Sequence, residues 1–111
     1  MRILLDECVH IGVKAAFVGH VVRSVTEMGW RGNKDGPLLG LAQQEFDVFV
    51  TIDRNLEHQQ NLAKFKIGFQ VAHVPSNELR HYLPLFDRLK AAAESVRRGT
   101  VLHVHSHPAN A

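Results

Sequence analysis

The sequence lacks the features that mark membrane-spanning and secreted proteins. No apolar run approaches the roughly 20 residues that a membrane helix needs. The opening segment, MRILLDEC, is interrupted by charge too early for a secretory signal. The single cysteine, Cys8, has no partner for an internal disulfide and follows an apolar run. We therefore expect a cytoplasmic protein with no membrane partner, in which Cys8 packs against the core rather than acting as a nucleophile.

The sequence also lacks a strong excess of charge of either sign. Lysine and arginine number 13 against 11 acidic residues, so the formal net charge is +2, and the eight histidines add to it only at acidic pH. This balance is compatible with nucleic-acid binding but does not predict it, because the usual sign is a strongly basic domain. The length of 111 residues, 45% of them hydrophobic, fits a single globular domain over residues 1–111.

Short apolar runs alternate along the chain with segments of helical spacing. The predicted strands cover residues 3–5, 20–25, 48–52, 67–74 and 100–105, and the predicted helices cover residues 9–17, 55–63, 78–98 and a segment after Asp35 in which Leu38, Leu39, Leu41 and Ala42 form the buried face. Pro84 should break or restart the last helix, because proline inside a helix removes a hydrogen bond and clashes with the preceding turn. No internal repeat or linker divides the chain.

Strands that alternate with helices indicate right-handed crossovers and a sheet covered on both faces. The sequence therefore predicts a three-layer α/β/α sandwich with a mainly parallel central sheet of about five strands. In sheets of this kind, ligands bind beyond the carboxyl ends of the strands. The polar residues that follow the strands are thus the first candidates for a site.

Three aspartates are predicted to meet at this edge of the sheet. Asp6 and Asp53 each follow an apolar strand, and Asp35 stands at the start of the helix that leads into the Asp53 strand. Like charges repel strongly in a low-dielectric site, and the repulsion is relieved by protonation or by a bound cation. Because ligand sets made only of oxygen select hard ions, we expect Asp6, Asp35 and Asp53 to bind Mg²⁺ or Mn²⁺.

A structural interpretation of these residues remains open. Aspartate is a common helix cap, and both Asp35 and Asp53 precede helical segments. Asp6 is harder to explain in this way, since it ends a predicted buried strand and has Glu7 beside it. Glu7 itself is either an outer ligand of the metal or a charge in the first turn of a helix.

Three segments, LLDEC, GWRGNKDGPLLGLA and FDVFVTIDRNLEHQQNL, lie within residues 4–62, about half of the chain. In order and spacing they resemble the short PIN-like domains that are often predicted to be toxins of toxin-antitoxin pairs. The resemblance implies a PIN-like fold and a metal-dependent ribonuclease in which Asp6, Asp35 and Asp53 are the catalytic and metal-binding acids. It further implies RNA as the substrate, Mg²⁺ or Mn²⁺ as the cofactor, an antitoxin protein as a partner, and self-association into a homodimer.

The resemblance also implies roles for polar residues around the acids. Metal ions held by the carboxylates would activate a water for in-line attack on a phosphodiester, leaving 5′-phosphate and 3′-hydroxyl ends. Lys34, Arg54 and Asn55 flank the proposed ligands and are predicted to bind the substrate, with the two cations facing phosphate. Broader members of the family carry a fourth acid downstream, where this chain reads VPSNE, so Ser76 or Asn77 is expected to serve as a polar ligand of metal-bound water or phosphate.

Other conspicuous residues are given a structural interpretation. For Arg31 we favour a solvated charge or an ion pair with an aspartate over a phosphate contact. Trp30 could stack on an unpaired base, but we favour anchoring of its loop to the core or to a dimer partner, because most tryptophans are largely buried. His58 is a weaker candidate for substrate contact.

His103, His105 and His107 alternate, so a strand would place them on one face, a spacing able to capture transition metals. We interpret these three histidines as a solvated strand end that binds nickel or zinc adventitiously.

Two further functions compete with the ribonuclease. Asp6-Glu7 after the first strand and Asp53 after the third resemble the acidic positions of a phospho-accepting response-regulator receiver. However, no lysine follows the last strand, and TIDRN lacks the methionine-proline turn usual after that aspartate. The other alternative is a PIN-like binding module that has lost its chemistry.

Overall fold

The computed structural model describes residues 1–105 and contains five strands in a single parallel sheet. The strands are β1 (Arg2–Leu5), β2 (Val21–Ser24), β3 (Val48–Thr51), β4 (Gly68–His73) and β5 (Val101–His105). The described α-helices are α1 (Asp35–Glu45), α2 (Leu56–Gln59), α3 (Leu79–Tyr82) and α4 (Phe86–Ser95). Three 3-10 turns occupy Ile11–Ala16, Leu62–Lys64 and Leu83–Leu85.

The sheet is buried on both faces, as its continuous apolar strands predict. On one face, alternate strand residues such as Ile3 and Val50 pack under α3, α4 and the 3-10 turn Ile11–Ala16. On the other face, residues such as Leu4 and Phe49 pack under α1 and α2. The predicted three-layer α/β/α architecture is therefore confirmed, with an all-parallel sheet, and it is compatible with a PIN-like fold.

Helix α1 differs from the sequence-based prediction at its start and on one face. It begins at Asp35 itself, with Lys34 as the capping residue and no side-chain hydrogen bond to the cap. The alternative interpretation of Asp35 as the helix cap is therefore wrong by one residue, because Lys34 holds that position. Capping does not explain this aspartate. Leu38, Leu39 and Ala42 are buried as expected, whereas Leu41 is 36% exposed, because it turns away from the sheet.

The other helices are shorter than the sequence patterns predict. The segment predicted as helix over residues 9–17 forms the 3-10 turn Ile11–Ala16, and the one predicted over residues 55–63 is divided between α2 and the turn Leu62–Lys64. Pro84 lies within the 3-10 turn between α3 and α4, so the predicted break at this residue is confirmed. Within residues 1–105, no helix combines the length and the apolar character needed to cross a membrane.

Candidate functional site

The order of the strands places two aspartate-bearing segments side by side. In the order β2-β1-β3-β4-β5, the chain moves to one side of β1 for β2 and to the other side for β3. The crevice beyond such a reversal is where ligands bind in open parallel sheets. Asp6 follows β1 and Asp53 lies two residues beyond β3, so both flank this crevice.

The Asp6 carboxylate is held by three donors. Its Oδ1 accepts a hydrogen bond from the backbone N–H of Glu7 at 2.8 Å. Its Oδ2 accepts one from the Thr51 hydroxyl at 2.8 Å and one from the Cys8 thiol at 3.4 Å. A carboxylate offers about four lone-pair positions, so Oδ1 keeps one for a further ligand.

Electrostatics at Asp6 disfavour its charged form. Burial raises the pKa of Asp6 above its ordinary value, and the nearby Asp35 carboxylate raises it further, while the hydrogen bonds from Thr51, Cys8 and Glu7 lower it. The structure thus brings Asp35 within electrostatic reach of Asp6. A cation bound near Asp6 would favour the charged form that burial and the Asp35 charge disfavour.

Asp53 is connected to Asp6 through its backbone. The Thr51 hydroxyl that donates to Asp6 also accepts the backbone N–H of Asp53 at 3.1 Å. Oδ1 of Asp53 accepts the N–H of Asn55 at 3.0 Å, so this carboxylate supports the turn that leads into α2. Asp53 is therefore not the cap of α2, which is Asn55, but one of its two oxygens has a local role in the preceding turn.

The residues predicted to contact phosphate differ in whether they form an ion pair. Lys34, Arg54 and Asn55 are exposed. Arg31 forms an ion pair with Glu7, with Nε 3.5 Å from Oε2, which confirms an ion pair for Arg31 but with a glutamate instead of an aspartate.

Trp30 anchors its loop to the core, as expected. Its indole packs edge-on against Phe46, with ring centroids 6.0 Å apart. The backbone N–H of Trp30 donates to the carbonyl of Val25. His58 is exposed on α2.

Ser76 and Asn77 lie in the segment after β4 and make contacts within their own part of the chain. The Ser76 hydroxyl donates to Glu78 at 2.9 Å, and the Asn77 side-chain oxygen accepts the Tyr82 hydroxyl at 2.6 Å. Burial, and then the proximity of Cys8, raise the pKa of Tyr82. Asn77 is thus linked through Tyr82 to the neighbourhood of Cys8, which contacts Asp6.

Thr51 and the Cys8 thiol are parts of the site that sequence reasoning did not identify. Thr51 is fully buried and bonds to both Asp6 and Asp53. The signal for it was available, because Thr51 is the one polar residue in the apolar run VFVTI. Burial and the Asp6 charge raise the pKa of Cys8, which keeps the thiol protonated and able to donate. This agrees with the expectation that Cys8 is not a nucleophile.

A second group of polar side chains lies on β4 and β5, on the face of the sheet that packs against α2. Nε2 of His73 lies 2.7 Å from Nδ1 of His103, and Nε2 of His103 donates to the Glu57 carboxylate at 2.5 Å. The ring of His105 stacks on that of His73, with centroids 4.1 Å apart. His103 and His105 therefore share a face, as predicted, whereas His107 lies outside the described residues.

We expect this cluster to make stability depend on pH. Burial lowers the pKa of His73 from 6.5 to about 4, helped by the charges of His105, Arg54 and His103 and opposed by Glu57. Between these two pKa values the unfolded chain binds a proton that the folded chain does not, so stability is present above pH 6.5 and is lost on acidification towards pH 4. The loss should be about 1 kcal/mol, since solvent screens a partly exposed ring.

Urea denaturation of wild type and His73→Gln between pH 7 and pH 4 measures this effect. In both proteins the contribution of Asp6 to stability changes with pH in the opposite sense to that of His73. The difference between their free energies of unfolding therefore isolates the contribution of His73. Parallel curves for the two proteins would contradict the assignment.

The carboxylates do not form a complete cage for an ion. Among residues 1–105, no group of three or more His, Cys, Asp or Glu side chains is arranged to hold a metal. Mg²⁺ requires less than this, because one or two carboxylates bind it while waters and substrate phosphate complete its shell. The oxygen atoms of Asp6 and Asp35 are donors of the type that this ion prefers.

Comparison of the chain with protein-family models, with curated proteins and with solved structures finds no match. Its function is therefore inferred from the residues at the carboxyl edge of the sheet.

Proposed function

We propose that the protein is a metal-dependent ribonuclease that hydrolyses RNA phosphodiesters, as its resemblance to PIN-like domains implies. The observation that carries the proposal is the Asp6 carboxylate, which lies at the point where the strand order reverses and whose charged form is destabilised by burial and, to a smaller extent, by the Asp35 charge. A protein that keeps two carboxylates in this position at a cost in stability has a use for a cation there.

Each residue near the crevice has a part in the proposed reaction. Asp6 and Asp35 bind the metal, and the outer oxygen of Asp53 completes the acidic set. The Thr51 hydroxyl orients the Asp6 carboxylate. Because the same hydroxyl accepts the backbone N–H of Asp53, it also fixes the spacing between Asp6 and Asp53. Bound Mg²⁺ or Mn²⁺ would supply an activated water and charge stabilisation at the phosphorus.

The substrate is positioned by cations and polar groups at the rim. Lys34 at the start of α1 and Arg54 before α2 are exposed on segments that flank the crevice, where they neutralise successive phosphates. Asn55 offers an amide in the same turn. Ser76 or Asn77 binds metal-bound water or phosphate, in place of a fourth acid.

Cleavage of single-stranded RNA in Mg²⁺, in Mn²⁺ and in EDTA tests this function. We expect cleavage only with metal present, 5′-phosphate and 3′-hydroxyl product ends, and a large loss of activity in Asp53→Asn. Asparagine retains an oxygen that accepts the Asn55 N–H, so the turn before α2 is preserved. Asp87→Asn is the matched control, because Asp87 is exposed in the first turn of α4 and is not one of the proposed ligands.

Cleavage that persists in EDTA, or that is equal in wild type and Asp53→Asn, would contradict the proposal. RNA that stays intact but binds in a metal-dependent way would instead identify an inactive binding module.

A phosphoacceptor related to response-regulator receivers is a second candidate. The strand order 2-1-3-4-5 favours it, because receivers share this order. The absence of a lysine after β5 in the sequence speaks against it. Treatment with acetyl phosphate followed by intact-mass measurement decides between the receiver and the ribonuclease. If the protein is a receiver, wild type gains one phosphoryl group and the Asp53→Asn variant gains none.

We also propose that the protein acts in the cytoplasm as the toxin of a toxin-antitoxin pair and forms a homodimer. A short gene next to its own, whose product blocks RNA cleavage, would support the first part. Light scattering of the purified protein tests the second.

A further inference from the structure

The cluster of His73, His103, His105 and Glu57 is a second site, separate from the aspartates. His73 lies directly opposite His105 in the β4–β5 register, and His103 stands opposite Val71, so the three rings emerge from the same face of two adjacent strands. Helix α2 brings Glu57 over this face. The histidines come from two strands and one of them is bonded to a helix, whereas His103 and His105 are exposed, as expected of a solvated strand end.

The hydrogen bonds fix which ring nitrogens carry protons. A carboxylate only accepts hydrogen bonds, so Nε2 of His103 carries a proton and donates it to Glu57. A hydrogen bond between Nδ1 of His103 and Nε2 of His73 requires one proton for the two nitrogens. Because the single proton of a neutral His103 is on Nε2, its Nδ1 accepts and Nε2 of His73 donates across the 2.7 Å between them.

We propose that this cluster binds a divalent transition-metal cation such as Zn²⁺, which takes the place of the shared proton. His73 Nε2 and His103 Nδ1 are the first two ligands, and His105, stacked beside His73, supplies the third after rotation of its ring. The proton leaves Nε2 of His73 to water and one is taken up from water at Nδ1 of the same ring, so His73 stays a neutral imidazole ligand.

Within residues 1–105 no three such side chains are arranged to hold a metal, so zinc binding requires the His73–His103 pair to widen and the His105 ring to rotate. Zn–N bonds of 2.0–2.1 Å at tetrahedral angles place two ligand nitrogens about 3.3 Å apart, so the His73–His103 pair must widen by roughly 0.6 Å. Both rings are at least partly exposed, and the side chain of His103 is 32% exposed, which leaves room for this movement.

Glu57 has the position of an outer-shell residue. Histidine ligands of metals almost always donate their other ring N–H to a carboxylate or carbonyl, which orients the ring and makes it a stronger ligand. The Glu57–His103 bond is this arrangement, formed before any metal arrives. Imidazole ligands select Zn²⁺, Ni²⁺ or Cu²⁺ over Mg²⁺, so the two sites take different ions.

Calorimetric titration with Zn²⁺, in the presence of excess Mg²⁺, tests this site. We expect one equivalent of zinc to bind wild type, at least about tenfold weaker binding in His73→Ala and His103→Ala, and about 10–100-fold weaker binding in Glu57→Gln. His58→Ala is the matched control, because His58 is exposed on α2 and outside the cluster, and its binding should equal that of wild type.

NMR of the wild-type histidine side chains gives a readout that does not depend on the folding of a variant. Zinc should shift the signals of His73 Nε2 and His103 Nδ1, leaving those of His58 unchanged. The proposal fails if wild type binds no zinc, if His73→Ala and His103→Ala bind it as wild type does, or if Asp6→Asn abolishes binding. RNA cleavage is measured separately, so either site can be refuted while the other stands.

Discussion

Replacing Asp6 by asparagine is expected to reduce metal-dependent RNA cleavage by at least about 100-fold, since loss of groups that only support a metal ligand already costs about 10–100-fold. The same replacement should raise the free energy of unfolding in EDTA by about 0.5–2 kcal/mol. Asparagine keeps an oxygen that accepts the Thr51 hydroxyl and removes a buried charge and its repulsion with Asp35, and the Glu7 N–H that loses its acceptor is exposed and can bond to water. Cleavage rates and urea denaturation at pH 7 give the two readouts.

Added Mg²⁺ should make wild type more stable than Asp6→Asn, which reverses the order expected in EDTA. Wild type gains stability from ion binding by mass action, whereas Asp6→Asn gains little. The Asp87→Asn control should match wild type in cleavage, and its stability should respond to Mg²⁺ in the same way as that of wild type. A destabilised Asp6→Asn in EDTA would mean that Asp6 serves the fold rather than a metal, and the ribonuclease proposal would lose its main support.

Replacing Leu39 by alanine should lower the free energy of unfolding by about 2–5 kcal/mol. Leu39 is fully buried in the core beneath α1, in contact with the layer that contains Phe49 and Phe69. The cost combines the lost transfer free energy of the side chain with the cavity that remains. Since small domains are stable by about 5–15 kcal/mol in total, this change should shift the urea midpoint clearly.

Leu41→Ala, in the same helix, is the matched control. Its side chain is 36% exposed, so the loss should be below about 1 kcal/mol. Helix propensity is equal in the two variants, and the difference between them measures burial alone. Equal losses for the two leucines would show that α1 does not pack on the sheet by the face described.

The binary pattern of the sequence was sufficient for most of the fold. Fully buried strands are continuous apolar runs, and VFVTI and the residues after Arg2 have this form independently of any partner. Pro84 acts on its own backbone, so the break in the last helix was also predictable. Helix lengths were not, because both segments have helical spacing, yet 9–17 forms a 3-10 turn and 55–63 is divided between α2 and a 3-10 turn.

The candidate site was likewise predictable from the sequence only in part. Asp6 and Asp53 were predictable, because each directly follows a strand and the carboxyl ends of parallel strands share an edge. The contacts that hold them were not: Thr51 bonds to Asp6 across 45 positions of sequence, and only the pairing of β1 with β3 brings the two together.

The sequence by itself determined the layers of the fold and two of the three aspartates, since both follow from local patterns of apolar and polar residues. Only the tertiary structure decided that Asp35 lies near Asp6 without capping its helix, because this depends on how α1 packs on the sheet. The same holds for the histidine cluster. His103 and His105 could be paired by their spacing, whereas His73 and Glu57 joined them through strand order and helix placement.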